Sequence, residues 1–210
     1  MAEQGVIAEI VDVNMYRSVL SYSFLTNSCM TRLKPLRPDA MDQEARTLYH
    51  AILAGPRSDL TDEHGSLRGP FDPLLRSPKI GEAVQQLGAA IRFNGSLPDD
   101  LRELVILATA GHWNCKFELV THGPIAEHSG IDAEVVIAIG SGQPPDLASG
   151  SDQDLVYRAV NELHTTKQLC VKTYETLVIQ LGEALVIELV VVAGYYSLLA
   201  MVLEGFEITH

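Results

Sequence analysis

Apolar residues recur with helical spacing through most of this chain. Between Asp42 and Leu53, the residues Ala45, Leu48, Tyr49 and Ile52 follow one another at 3, 1 and 3 positions, which is one face of a helix, and Asp39 and Asp42 are available to cap it. Gly55-Pro56 stops that helix. The polar run Arg57 to Gly69 then reads as a loop ending at Gly69-Pro70-Phe71-Asp72-Pro73, the kind of segment that walls or covers a pocket. Beyond Ser77-Pro78, Ile80, Val84, Leu87 and Ile91 recur at 4, 3 and 4 and predict an amphipathic helix ending near Asn94-Gly95.

Ser96-Leu97-Pro98-Asp99-Asp100 has the composition of a helix start, with proline in the first turn and two acids at the positive end of the dipole. Leu101, Leu104, Val105 and Ala108 give this helix its expected buried face. Helical spacing resumes from Asn114 to His122, and Gly123-Pro124 is expected to end or kink that helix, because Pro124 cannot donate to the Val120 carbonyl. A short helix over about 132–139 precedes the Gly/Pro-rich run 140–150. Three more follow, opened by Ser151 and divided late by Gly182 acting as a C-cap. No segment alternates with period 2. The expectation is an all-α fold of seven or eight helices forming one domain over 31–210, with residues 1–30 as an N-terminal extension.

Composition narrows the class. A chain of 210 residues that is 47% hydrophobic can build a core, and its formal charge of −12 opposes binding to nucleic acid or to an anionic membrane face. Three widely spaced cysteines, Cys29, Cys115 and Cys170, do not form a secreted disulfide pattern, and no export signal is visible, so a cytoplasmic setting is expected. Ala184 to Leu203 is long enough to cross a bilayer, with Glu188 as its one charge. Its acidic flanks and lack of an aromatic belt fit a buried bundle helix instead.

Candidate chemistry concentrates in one helix. Cys115, Glu118 and His122 lie 3 and 4 residues apart and would project from one face. Glu103 sits among leucines on the preceding helix, where an ionised carboxylate needs a donor, and a histidine of the next helix could be that donor. A carboxylate–imidazole pair is the minimum equipment for moving a proton near neutral pH. Spacing alone fits equally an i, i+4 surface pair beside a buried salt bridge. Arg76 and Arg92 are candidates to bind a substrate carboxylate. His112, His128 and Glu127 add no recognised metal-ligand spacing, and no metal is expected. His112 and Trp113 read as packing or pocket-lining residues, and Tyr195 and Tyr196 as packing with one hydroxyl in need of a polar partner.

These residues carry a family resemblance. The run from Leu97-Pro-Asp-Asp-Leu-Arg-Glu103-Leu through Cys115-Lys-Phe-Glu118-Leu-Val-Thr-His122 to Ala126-Glu-His-Ser-Gly130 resembles the carboxymuconolactone decarboxylase family, which includes the AhpD-like alkylhydroperoxidases. Gly69-Pro-Phe-Asp-Pro-Leu-Leu-Arg-Ser-Pro78 and Gly194-Tyr-Tyr-Ser-Leu-Leu-Ala-Met201 resemble its longer branch, so the likeness covers about 31–208. The peroxidase branch uses Cys-x-x-Cys-x3-His, but here Glu118 occupies the second cysteine position. The resemblance therefore implies a cofactor-independent decarboxylase or proton-transfer enzyme acting on a small cyclic acid or lactone. In that reading His122, Glu118 and Glu103 are catalytic, and Cys115, Arg92 and Arg76 contact substrate. It also implies a homo-oligomer, a trimer or hexamer. The alternatives are a thiol peroxidase or disulfide reductase centred on Cys115 and a non-catalytic helical oligomer.

Overall fold

The computed structural model describes residues 31–57 and 60–208, and the expected extension over residues 1–30 lies outside them. After a 3-10 turn at Pro38–Ala40, the helices are α1 (Gln43–Leu53), α2 (Phe71–Leu74), α3 (Pro78–Phe93), α4 (Asp99–Trp113), α5 (Lys116–His128), α6 (Ala133–Gly140), α7 (Asp152–Thr165), α8 (Val171–Leu181) and α9 (Glu183–Gly205). Among the described residues the all-α reading holds, with one helix more than expected. The addition is α2, a single turn inside the Gly/Pro segment that periodicity could not register as a helix.

Capping follows the sequence. Asp42 accepts from the Ala45 N–H at 2.8 Å, and Ser151 accepts from the Asp154 N–H at 3.1 Å. Gly182 ends α8 with φ +85°, a conformation glycine reaches without a Cβ clash. Glu188, the lone charge within the apolar stretch of α9, accepts from the Ser96 and Leu97 N–H groups at 2.7 and 2.8 Å and ties α9 to the turn that opens α4.

The centre of the fold is α4. Every residue from Leu101 to Ala110 is buried, including Arg102, Glu103 and Thr109, because α5, α7 and α9 surround it. One expectation is corrected at α3. Val84 and Ile91 are buried, but Ile80 and Leu87 are 62% and 43% exposed, and the inward face runs through Gly81, Val84, Gln85, Gly88 and Ile91. Small residues set this rotation. A Cβ on Gly81 would lie 2.7 Å from the Leu74 carbonyl oxygen, and one on Gly88 would lie 2.1 Å from the Tyr195 hydroxyl.

In α9, Val186, Leu189, Val192, Ala193, Tyr195, Tyr196, Leu199, Ala200 and Leu203 face inward, while Ile187, Val190, Val191, Leu198 and Met201 are exposed. By length and composition this helix could cross a membrane. Here one side of it completes the helical core.

Candidate functional site

Two adjacent helices bring the acid–base candidates together. Glu103 projects from α4 with no exposed surface, and His122, 5% exposed, projects from α5 one turn beyond Glu118, which is 3% exposed. The left-handed Asn114, at φ 50° and ψ 35°, reverses the chain so that α5 returns along α4. The expected end at Gly123-Pro124 is corrected: α5 runs on to His128 with Pro124 inside it. Gly123 has no Cβ, which relieves part of the clash that a proline ring imposes on the preceding residue.

His122 Nδ1 lies 2.7 Å from Glu103 Oε2, and its Nε2 lies 3.3 Å from Glu118 Oε2. Both ring nitrogens thus face carboxylate oxygens, an arrangement in which the doubly protonated imidazolium donates on both sides. Burial works against that charge, but the hydrogen bonds and charges of Glu103 and Glu118 outweigh it and hold the His122 pKa above its ordinary value. For Glu103 burial is likewise the largest single influence. His122, Arg92 and Arg102 overcome it and hold the carboxyl below the usual range.

Two guanidiniums complete the charge pattern. Arg92 Nη1 is 3.6 Å and Arg102 Nε 3.7 Å from Glu103 Oε1, too long for hydrogen bonds, and that oxygen has no hydrogen-bond partner among the described residues. Arg102 is committed to Asp99 at 2.9 Å. Arg92 Nη1 also lies 3.3 Å from His122 Nδ1. That nitrogen donates to Glu103, so it has no lone pair to offer Arg92.

The structure adds residues that periodicity had assigned to packing or to a loop. The Tyr196 ring meets His122 edge-on at 5.1 Å between centroids, and its phenol lies beside the Arg92 guanidinium. Burial pushes the Tyr196 phenol up and the Tyr195 phenol to about 12, so both remain protonated donors. Arg57, from the turn after α1, donates to the Gln85 carbonyl at 3.3 Å and lies over the Phe71 and Phe93 rings at 5.1 and 5.8 Å. The one sequence signal for Tyr196 was a phenol in an otherwise apolar helix. Arg57 had none.

Arg76 does not join this cluster, and Cys115 borders it beside the Glu118 backbone N–H. Cys115 stands ahead of α5 in extended backbone rather than on its face, and its fully buried side chain packs with Ala200, Leu203 and Ile208. Burial pushes its thiol to about 12. Arg76 pairs with buried Asp72 at 2.9 Å and donates to the Lys34 carbonyl, while Asp72 also accepts from the Leu36 N–H at 2.7 Å. This knot fastens the segment ahead of α1 to α2. His112 lines a cavity of about 150 Å³ that shares no residue with the His122 cluster, stacked on His164 at 4.5 Å. Trp113 is partly buried and packs against the Cys115 cluster instead. Among the described residues no group of three or more His, Cys, Asp or Glu side chains could hold a metal ion.

Comparison with known proteins adds two likenesses. The carboxymuconolactone decarboxylase family model matches residues 78–145, the span from α3 to just past α6 that contains Arg92, Glu103, Glu118 and His122. Among solved structures, the chain is similar to an alkylhydroperoxidase AhpD core, an uncharacterized peroxidase-related protein from Ralstonia eutropha JMP134. The TM-score is 0.67 at 14% identity, covering 87% of this chain and 93% of that one. At that identity the likeness is one of fold. No curated protein matches the chain.

Proposed function

We propose that this chain, which carries the carboxymuconolactone decarboxylase family segment over residues 78–145 on an AhpD-like helical fold, is a cofactor-independent acid–base enzyme. It decarboxylates, or moves a proton on, a small cyclic carboxylic acid or lactone. The observation that carries this reading is a buried imidazole held between two carboxylates, with Nδ1 tight on Glu103 and Nε2 looser on Glu118.

The unequal distances divide the roles. Glu103, at 2.7 Å, fixes the ring and stabilises its charge, while the longer Glu118 contact is the side on which substrate can compete for the Nε2 proton. In a decarboxylation the carbon–carbon bond to the carboxylate breaks, CO2 leaves, and the electron pair passes into the adjacent carbonyl or lactone. His122 then delivers the Nε2 proton to carbon and regains one from solvent through Glu118. Protonated Tyr196 and cationic Arg92 supply donors for the enolate oxygen. The substrate is its own electron sink, so the step needs no added group.

Burial of Cys115 and a thiol pKa of about 12 favour this reading over a thiol peroxidase. We also propose a cytoplasmic homo-oligomer, supported by the exposed Val171, Ile179 and Ile187 of α8 and α9. Light scattering on the eluting protein reads its mass directly, and a monomer would contradict it.

The test of activity is incubation with β-keto acids and carboxylated lactones in deuterated water. CO2 release or C–H exchange that disappears in His122→Gln supports the reading, and a folded His122→Gln with unchanged turnover overturns it.

A further inference from the structure

Arg57 has a setting unlike that of the other arginines near His122. Arg92 and Arg102 both reach Glu103, and Arg102 also pairs with Asp99. No ion pair involves Arg57 among the described residues. It donates to the neutral Gln85 carbonyl, and its guanidinium is held over Phe71 and Phe93. The Tyr195 hydroxyl and Arg57 Nη2 both lie against Gly88, at 2.1 and 3.2 Å from where a Cβ would stand. Any larger residue there would displace the tyrosine. Tyr195 packs edge-on against Tyr196 at 5.4 Å, and Tyr196 against His122. Arg57 thus stands two aromatic rings away from the reacting imidazole.

We infer that Arg57, backed by Tyr195, is the anchor for a carboxylate that the substrate keeps through the reaction, holding the end of the substrate remote from His122. Three features support this beyond the absence of an ion pair to Arg57 among the described residues. The guanidinium is half-buried and oriented by two aromatic faces, so little side-chain freedom is lost on forming a bidentate contact. Arg92 is a second cation close enough to oppose the charge on Arg57, and an anion on Arg57 relieves that repulsion. The chemistry also separates the two ends. A guanidinium on the departing carboxylate would stabilise the charge that must be lost, so the anchoring cation belongs on a carboxylate that stays.

The inference rests on the proposed acid–base reading, but binding tests it without turnover. The probes are paraconate, a lactone bearing one carboxylate, and its neutral methyl ester, titrated into the full chain by calorimetry. Wild type is expected to bind paraconate roughly tenfold to a hundredfold more tightly than the ester, the range for a charge-assisted contact. In Arg57→Gln that preference falls to about twofold or less with the ester's affinity retained, and Arg57→Lys keeps an intermediate preference because it retains charge without the fork. The inference is overturned if wild type fails to bind paraconate or to prefer it, if Arg57→Gln preserves the preference, or if that variant weakens both probes alike. His122→Gln, which tests the chemistry, is expected to keep the preference. Loss of turnover and loss of the anchor are therefore read separately.

Discussion

His122 Nδ1 and Glu103 Oε2, separated by 19 residues in sequence, meet at 2.7 Å in the interior of the helical core. The pair joins α4 to α5, and each partner stabilises the charge that burial would otherwise suppress. Removing one partner leaves the other charged and uncompensated, which typically costs about 3–5 kcal/mol. Glu103→Gln is expected to fall in this range by chemical denaturation. The same variant should lower the His122 pKa, read by NMR titration of the ring. An unchanged imidazole titration would show that Glu103 does not control its charge.

The pH dependence of stability follows from the two shifts. His122 has a folded pKa above its unfolded value of about 6.5, so its contribution is complete below that pH and is lost as pH rises through the folded value. Glu103 has a folded pKa below its unfolded value of about 4.3, so its contribution is present above that pH and is lost as pH falls through the folded value. Thermal denaturation should therefore show a decline in Tm with rising pH above about 6.5. That alkaline limb should be reduced in His122→Gln, and an identical slope in the variant would refute the linkage.

Cys115 should be inert in the native protein. With no exposed surface and a thiol at about 12, it is expected to resist alkylation and peroxide at pH 8, whereas exposed Cys170 reacts. Mass spectrometry of the labelled peptides distinguishes the two. Cys115→Ser should retain turnover in the decarboxylation and exchange assays. Rapid peroxide oxidation at Cys115 would restore the thiol reading.

Glu188 is expected to matter for stability alone. Its carboxylate accepts two backbone N–H groups ahead of α4, and Glu188→Ala should cost about 1–3 kcal/mol by leaving those donors to water or to nothing. Equilibrium denaturation measures this directly. A loss below a few tenths of a kcal/mol would mean that solvent replaces the contact without cost.

Much of the fold is legible along the chain because helix formation is local. Capping by Asp42 and Ser151, the stop at Gly182 and the apolar run of α9 are all written within a few residues of where they act. Rotation of a helix is less legible when small residues set it. On α3 the stripe of Ile80 and Leu87 pointed outward because Gly81 and Gly88 permit the close approaches, and a glycine carries no hydrophobic signal.

The candidate site divides in the same way. The sequence by itself determined that Glu118 and His122 share a helix face, since one turn separates them, and that a carboxylate buried among leucines at Glu103 needed a donor. Only the tertiary structure decided which arginine stands where. Arg76 is spent on Asp72, Arg92 faces Glu103 and His122, and Arg57 comes in beside Tyr195, two aromatic rings from the imidazole, from a loop with no periodicity to announce it. It also sent Cys115 into an apolar cluster by placing it ahead of α5 in extended backbone, and it brought Tyr196 against the imidazole. The physical reason is range. Caps and faces are set by neighbours within a turn, whereas the partner of a buried charge is set by which helices pack together, and that depends on the whole chain at once.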